Sequence, residues 1–564
     1  MKRIALGLIG LMLSIVSLAA INPEDKLLDA VKKYTSKDYL GAVALLSELI
    51  QESPDNDAAC YYMALSKLGL GETDVAEAYF ERAVKLDPHN FWYRHRLAAY
   101  YGLTSRTDDA IELYKALLKE FPKNSQIYYD LFELYASSQK NVEALDVLKS
   151  IEDVFGESDA VVMQRFKLLL AMEKQDEAIE CLKQYNEKYS SPFVLTTLAD
   201  YEMSIYNDKL AHKYYDEVLD IFPDYTPALI GKAEAYRLTR RDDDYFKILS
   251  TFVSSRNISS VEKAGYLEAI LTQSMPAYIK ASAERLDSLL NKALDINPAD
   301  TLILPLKGLL YIKTNEFERA ESEFRKNIVL NPSHQGARES WVEFLAFRKK
   351  WDMLASESAL ATEIFPTNSK FIEMEIYAHY NQKHWPEIIS LCQKIIRLFP
   401  QDKEKLVDAW SNMGDVYYIM GKKKDSFKAY DKVLQMDPNN IYVLNNYAYY
   451  LSLGKTRLKK AASMSKKTIV AAPDNPTYLD TYAWILYLQG KPQEAKPHFK
   501  HAMLYGGKDS VVIMDHYAEV LFKLGEYDLA FVYWNRIKSM NYKEDIPDLD
   551  ERLEKRKQQM KKKK

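Results

Sequence analysis

The chain has 564 residues, of which 47% are hydrophobic, with 18 glycines and 20 prolines. Because a single hydrophobic core stops growing at about 250–300 residues, this length predicts several domains or an extended array, and the small share of glycine and proline excludes a mainly disordered chain. The formal net charge of -4 excludes a global attraction to nucleic acid or anionic lipid.

The first predicted element is a secretory signal peptide. Lys2 and Arg3 precede an apolar run at residues 4–16, and Ser17-Leu18-Ala19 places small residues at the two positions that a signal peptidase reads. We therefore expect residues 1–19 to be removed by cleavage after Ala19, and the rest of the chain to be exported to the periplasm or the cell envelope.

The same segment has an alternative interpretation as an uncleaved membrane anchor. Its apolar stretch, residues 4–21, is 18 residues long, which is the lower edge of what spans a bilayer. No cysteine directly follows this stretch, since the first cysteine is Cys60, and the sequence therefore predicts that the protein is not a lipoprotein.

After the signal, the chain repeats itself every 34 residues. The residues that mark this period are Ala42, Ala76, Ala110, Ala144 and Ala178, together with Pro54, Pro88 and Pro122. In the unit 57–90, Ala64 stands at position 8, Gly71 at 15, Phe80 at 24 and Pro88 at 32. Apolar residues at helical spacing in each half predict two amphipathic helices joined by a turn. A fixed period of this length is typical of a stacked array of such hairpins.

This pattern resembles the tetratricopeptide repeat (TPR) family, in which small residues, large residues and a final proline recur at fixed positions of a helix-turn-helix unit. Good copies lie in the C-terminal half, where the unit 407–440 carries Trp410, Gly414, Tyr417 and Pro438 at the matching positions. The resemblance implies an all-α, right-handed α-solenoid of about fifteen hairpins between residues 23 and 540.

The period weakens in the middle of the chain. Pro223 and Pro298 are 75 residues apart, Tyr245 occupies an alanine position, and residues 273–276 interrupt a unit. We predict an altered stacking angle near 255–285, which divides the solenoid into two arrays; the alternative is one longer loop without a change of direction. The predicted domains are an N-terminal array, an irregular junction, a C-terminal array and a basic tail, at residues 20–255, 256–300, 301–540 and 541–564.

The resemblance also implies a binding groove, because the first helix of each TPR unit lines the concave face with its positions 2, 5, 9 and 12. Carried onto the C-terminal units, these positions predict a peptide-binding groove formed by Asp415, Tyr418, Asn445, Tyr449, Asp480, Trp484, Tyr487, Asp515, Glu519 and Phe522. The alternative for Trp484 and Tyr487 is that they pack against the next unit.

The predicted groove is aromatic and acidic, which favours a protein partner with an extended or helical segment that carries Lys or Arg. The carboxylate clamp of chaperone-binding TPR proteins needs Lys at position 5 and Asn at position 9. Ser411 and Asp415 occupy these places, so we do not expect a clamp of that kind.

The tail is strongly basic, with a net charge of +6 over residues 551–564. We expect a solvated end that keeps the array soluble. The alternative is contact with anionic lipid through this tail.

No motif for chemistry stands out. The three cysteines Cys60, Cys181 and Cys392 are too far apart for a spaced metal motif, and Cys60 and Cys392 fall on core positions. The segments outside the repeats are too short for a catalytic domain of about 100 residues. We therefore expect no enzyme activity, no catalytic or metal site and no cofactor.

The sequence thus predicts an exported scaffold or adaptor that binds protein segments in its C-terminal groove and binds no nucleic acid. The alternative function is a membrane-tethered assembly factor or co-chaperone, attached through the N-terminal helix or the basic tail.

Overall fold

The computed structural model describes residues 22–563, and the predicted signal peptide lies outside them. The described residues form 32 α-helices, one short 3-10 helix and no strand. These helices follow one another as antiparallel hairpins, so the predicted all-α repeat fold is confirmed. Among the described residues, no helix is both long and apolar enough to cross a membrane.

The described chain divides into two compact units, residues 22–258 and 259–563. The helices of the first unit are α1 (Pro23–Thr35), α2 (Tyr39–Glu52), α3 (Asp57–Gly69), α4 (Thr73–Leu86), α5 (Phe91–Leu103), α6 (Thr107–Glu120), α7 (Ser125–Ser137), α8 (Asn141–Phe155), α9 (Asp159–Ala171), α10 (Gln175–Tyr189), α11 (Pro192–Ser204), α12 (Asp208–Ile221), α13 (Thr226–Leu238) and α14 (Asp242–Ser254). Each odd-numbered helix pairs with the next one, which gives seven hairpins.

The second unit begins with three helices instead of a pair, because helix α15 ends at Gln273 and a new short helix begins at Pro276. Its helices are α15 (Ser260–Gln273), α16 (Pro276–Ala281), α17 (Ala283–Ile296), α18 (Ile303–Lys313), α19 (Phe317–Leu330), α20 (Gln335–Phe347), α21 (Trp351–Ile364), α22 (Ser369–Asn381), α23 (Trp385–Leu398), α24 (Lys403–Ile419), α25 (Lys423–Met436), α26 (Ile441–Leu453), α27 (Leu458–Ala471), α28 (Pro476–Leu488), α29 (Pro492–Leu504), α30 (Val511–Lys523), α31 (Tyr527–Lys538) and α32 (Leu549–Lys563), with the 3-10 helix η1 at Gly507–Asp509. From α18 to α31 there are seven further hairpins. The predicted change of stacking angle stays a prediction.

One backbone feature recurs in the turn of all fourteen regular hairpins: the residue at position 15 has a positive φ. It is glycine in four hairpins and another residue in the rest, as at Tyr206 with φ 61. The following amide bonds back to the first helix, as the Glu72 N–H does to the Lys67 carbonyl at 3.0 Å. This is the Schellman arrangement, which satisfies the last carbonyls of a helix and reverses the chain.

The period-marking alanines lie between the two helices of each hairpin. Ala42, Ala76, Ala110, Ala144 and Ala178 are all 0% exposed. The aromatic residue at position 24 fills the remaining space, and Tyr430 in α25 is likewise 0% exposed. Its ring lies so close to Gly414 of α24 that a Cβ atom there would be under 3.0 Å from it. The small residue and the aromatic therefore set the distance between the helices.

The cysteines agree with the expectation for the core. Cys60 and Cys392 are both 0% exposed, and burial raises the pKa of the Cys392 thiol to about 12. Cys181 is half-buried, and burial raises its thiol pKa to about 11. All three are unpaired.

We predict opposite effects of the same substitution at two helical glycines of the second unit. Gly265→Ala adds a methyl group in open space, and it should stabilise the fold by up to about 1 kcal/mol because alanine favours helix. Gly414→Ala forces the buried Tyr430 ring to move, which should destabilise the fold by about 1–2 kcal/mol. Urea unfolding followed by circular dichroism measures both; equal shifts of the midpoint would contradict this packing role.

Candidate binding surface on the first helices of the second unit

The ten predicted groove residues all lie on α24, α26, α28 and α30, the first helices of four successive hairpins. We call their side-chain surface the first-helix face. Four of the ten are buried, namely Asn445, Asp480, Asp515 and Glu519. The other six are half-buried, namely Asp415, Tyr418, Tyr449, Trp484, Tyr487 and Phe522. Only the second group presents surface to solvent.

Asp415 joins α24 to the two helices that follow it in the chain, α25 and α26. Its carboxylate accepts hydrogen bonds from the Tyr442 hydroxyl at 2.7 Å and from the Asn446 side-chain amide at 3.1 Å, both in α26. It also accepts one from the Tyr430 hydroxyl in α25. Burial and the nearby carboxylate both raise the pKa of Tyr442, so the phenol stays protonated as a donor. The charge of Asp415 is therefore already stabilised within the chain.

Four tyrosines beside Asp415 form an aromatic surface that spans α24 and α26. The Tyr418 and Tyr450 rings stack with centroids 3.6 Å apart and planes 5° apart, and the Tyr449 ring lies 6.1 Å from Tyr450. Tyr442 is 50% exposed. We call these four residues the tyrosine shelf. Burial, followed by the Asp480 carboxylate, raises the pKa of Tyr449 to about 12.

Trp484 of α28 stacks on His516 of α30, with ring centroids 3.9 Å apart and planes 13° apart. The Nδ1 atom of His516 lies 2.8 Å from Asp480 Oδ1, and the rings of Tyr487 and Trp484 stack with centroids 5.0 Å apart. Trp484 thus packs against the next hairpin, as the alternative interpretation proposed, yet it stays half-buried and keeps an accessible edge.

The acidic end of the first-helix face is occupied by the chain itself. Arg552 of α32 donates hydrogen bonds to Asp515 at 2.7 Å and to Glu519 at 2.9 Å. Arg556 donates to Glu519 at 2.6 Å and lies 4.8 Å above the Phe522 ring. These two arginines take the place that we expected a partner's Lys or Arg to fill.

The described part of the tail therefore differs from the solvated end that we expected. Leu549 is 0% exposed and Leu553 is 4% exposed, and both belong to the core around α30 and α31. Their spacing places them on one side of α32 with Arg552 and Arg556 beside them. Leu549 and Leu553, an apolar pair at helical spacing among charged residues, were the signal in the sequence for this docking. The net charge of the tail led to the expectation of a solvated end instead.

A cavity of about 340 Å³ beside the tyrosine shelf adds residues that are not among the ten predicted groove residues. It lies between α22, α24 and the start of α26, and its wall includes Glu373, Lys405, Asp408 and Tyr442. The Lys405 ammonium pairs with Asp402. The Asp408 carboxylate makes no hydrogen bond or ion pair with any other residue in the described chain. Partial burial, followed by the nearby carboxylates of Glu404 and Glu373, raises the pKa of Asp408.

The side chains of the first-helix face are suited to binding a partner. Within residues 22–559, no three His, Cys, Asp or Glu side chains are placed to hold a metal ion. The first-helix face offers partly accessible aromatic side chains with phenol hydroxyls, and Asp408 beside it is a carboxylate without an ion pair in the described chain. These groups suit recognition of a polypeptide.

Comparison with known proteins agrees with the repeat structure. The family model described as "Tetratricopeptide repeat" matches residues 34–99, 104–161 and 407–440. Over 181 residues the chain is 25% identical to Superkiller protein 3 of Schizosaccharomyces pombe, a match that covers 31% of this chain and 12% of the relative. The chain therefore matches about an eighth of the length of that protein.

Three solved structures also resemble the chain over most of its length. Naa15/Naa10 bound to HypK-THB is 13% identical with a TM-score of 0.41, covering 95% of this chain and 91% of that one. The APC/C hetero-tetramer Cut9-Hcn1 is 15% identical with a TM-score of 0.32, covering 88% and 96%. Yeast Tom70 is 14% identical with a TM-score of 0.33, covering 90% and 96%.

We predict that Arg552 and Arg556 hold α32 in place. Replacing both by alanine removes charge-assisted hydrogen bonds to buried carboxylates, each of which contributes about 1.5–3 kcal/mol. Amide exchange across residues 549–559, measured by mass spectrometry, should accelerate at least about tenfold. The matched control is Lys555→Ala with Lys557→Ala, which removes the same charge but only exposed ion pairs. Equal exchange in the two variants would show that the arginines do not hold the helix.

Proposed function

Because the chain carries tetratricopeptide repeats in both of its units, we propose that it is a non-enzymatic scaffold that binds segments of partner proteins on the first-helix face. The observation that carries this proposal is which of the ten groove residues are accessible to a partner. Their carboxylates are hydrogen-bonded within the chain, whereas Tyr418, Tyr449, Trp484 and Tyr487 remain partly accessible. Aromatic contact is therefore the main source of affinity in this proposal.

Rigid aromatic side chains suit this role. The stacked pair of Tyr418 and Tyr450 is already ordered by its neighbours, so binding costs little side-chain entropy. Tyrosine and tryptophan are enriched among the residues that dominate binding energy, because they combine a large apolar surface with a hydrogen-bonding group. A partner segment would lay apolar side chains on the tyrosine shelf and bond to its hydroxyls.

We still propose that the partner carries Lys or Arg, but we place the residue that contacts this cation at Asp408 instead of at Asp515 and Glu519. Asp515 and Glu519 already hold two arginines of α32. Asp408 makes no ion pair in the described chain, since Lys405 in the same cavity pairs with Asp402, and Asp408 lies with the exposed Tyr442 in the wall of the 340 Å³ cavity. A partner cation at Asp408 would sit beside the tyrosine shelf, which orients the bound segment.

We expect partner recovery to depend on Tyr449 and Trp484. Crosslinking in cell envelopes, followed by recovery of partners, compares the wild type with Tyr449→Ala and Trp484→Ala. Loss of an aromatic anchor should weaken recovery at least about tenfold, which corresponds to about 1.4 kcal/mol. The control is Tyr206→Ala in the first unit, where the side chain is 93% exposed. Circular dichroism checks that each variant is folded. Undiminished recovery of every partner by both variants would exclude this surface.

We further propose that the scaffold works in the cell envelope after export. The support is the signal pattern at residues 1–19, with Lys2 and Arg3 before the apolar run. The competing candidate is a membrane-tethered assembly factor or co-chaperone, favoured by the 18 apolar residues at 4–21 and by the basic residues 561–564.

Fractionation separates these candidates. An exported and cleaved protein should appear in the soluble envelope fraction with Ala20 as its first residue. Attachment through the basic tail should be released by about 1 M salt, where the Debye length falls to about 3 Å. An inserted N-terminal helix should resist that wash, and a protein recovered with the bulk of cytoplasmic markers would overturn the export proposal.

A further inference from the structure

The second helix α27 and the turn before it carry a run of positively charged residues that contains no acidic residue. Residues 454–473 contain six Lys or Arg and no Asp or Glu, in a chain whose net charge is -4. Among these six side chains, Lys460 is the only one with a hydrogen bond or ion pair in the described chain, to the Tyr447 hydroxyl at 3.2 Å and to Asp431 at 3.6 Å. Such a run is unusual for a solvated helix, where charges of both signs normally alternate.

The other five cationic side chains are exposed and unpaired in the described chain, namely Lys455, Arg457, Lys459, Lys466 and Lys467. Like charges on adjacent turns of a helix repel one another. Because these five side chains have no acidic residue among them, they create a positive potential on this side of the hairpin.

An open groove of about 640 Å³ lies beside two of these lysines. It runs between the start of α26 and the end of α27, with Ile441, Leu444 and Val470 as its apolar wall and Lys466 and Lys467 beside them. Val470 is 74% exposed although it is aliphatic. The volume is within the range of about 300–1,000 Å³ that is typical of ligand clefts.

The combination of an apolar wall and a cationic edge determines which class of ligand fits the groove. Apolar side chains of a ligand would cover Val470 and Ile441, and carboxylates on the same ligand would lie against Lys466 and Lys467. A nucleic acid would leave the apolar wall uncovered, since it binds such lysines through phosphates. An acidic amphipathic helix meets both requirements at once.

We propose that the groove between α26 and α27 is a second protein-binding site, and that it takes an acidic, amphipathic segment of a partner protein. This site is separate from the first-helix face, although α26 contributes to both: Tyr442 and Tyr449 belong to the tyrosine shelf, whereas Ile441 and Leu444 line the groove. One hairpin would thereby hold two partner segments of different chemistry.

A selection with counter-selection tests the proposal on the purified full-length protein. The probe is a random-peptide phage library of about 14 residues, enough for roughly four helical turns. It is selected on the wild type and counter-selected on the Lys466→Glu, Lys467→Glu variant. Counter-selection removes peptides that bind the first-helix face. We expect the survivors to combine Asp or Glu with apolar residues at spacings of three and four.

Anisotropy titration of a labelled surviving peptide supplies the measurement. Affinity should fall at least about tenfold for Lys466→Glu, Lys467→Glu and also for Val470→Glu. The control Lys432→Glu, Lys500→Glu makes the same change of net charge at two exposed lysines of α25 and α29, and it should bind within about twofold of the wild type.

Three results would overturn the proposal: no surviving peptide, survivors without acidic residues, or an equal loss of affinity in the control. Phosphatidylglycerol vesicles and duplex DNA are titrated against the same variants. Binding of either one that depends on Lys466 and Lys467 and not on Val470 would assign the surface to lipid or to nucleic acid instead. Retained binding by Tyr449→Ala would show that this site acts independently of the first-helix face.

Discussion

The left-handed turn residue at position 15 is the constraint on which the hairpins depend. Fourteen turns adopt it, although ten of them do so without glycine, and a side chain in this conformation costs about 1–2 kcal/mol. The turn reverses the chain at the same point each time, so the two helices always meet in the same register. Ala76 and its equivalents then face a first helix closely enough to be fully buried.

A constant register also brings successive first helices side by side, which explains the polar contacts of the first-helix face. Asp415 reaches Tyr442 and Asn446 on the next first helix, and Asp480 reaches His516 in the same way. Helix α32 continues this series: Arg552 and Arg556 meet Asp515 and Glu519 as a further first helix would. Helix α32 therefore satisfies the carboxylates that α30 would otherwise leave without a cation.

The two sides of the same hairpins differ in chemistry. The first-helix face is aromatic, with its charges compensated inside the chain, whereas α27 presents Lys466 and Lys467, which have no acidic partner in the described chain, next to the exposed Val470. A scaffold with two such surfaces can hold two different segments at a separation set by one rigid helix, α26. This arrangement raises the effective concentration of one partner near the other without any contact between them.

The sequence by itself determined the hairpins, because the period of 34 residues encodes contacts between neighbouring helices. Gly414 and Tyr430 lie where their positions in the unit predict, and all ten groove residues lie on first helices. Only the tertiary structure decided which of those residues are accessible. Asp515 and Arg552 are 37 residues apart, and their pairing depends on how α32 docks, which a local pattern of charges does not encode. Periodicity specifies what each helix buries, whereas the partner of a charged side chain depends on the packing between hairpins.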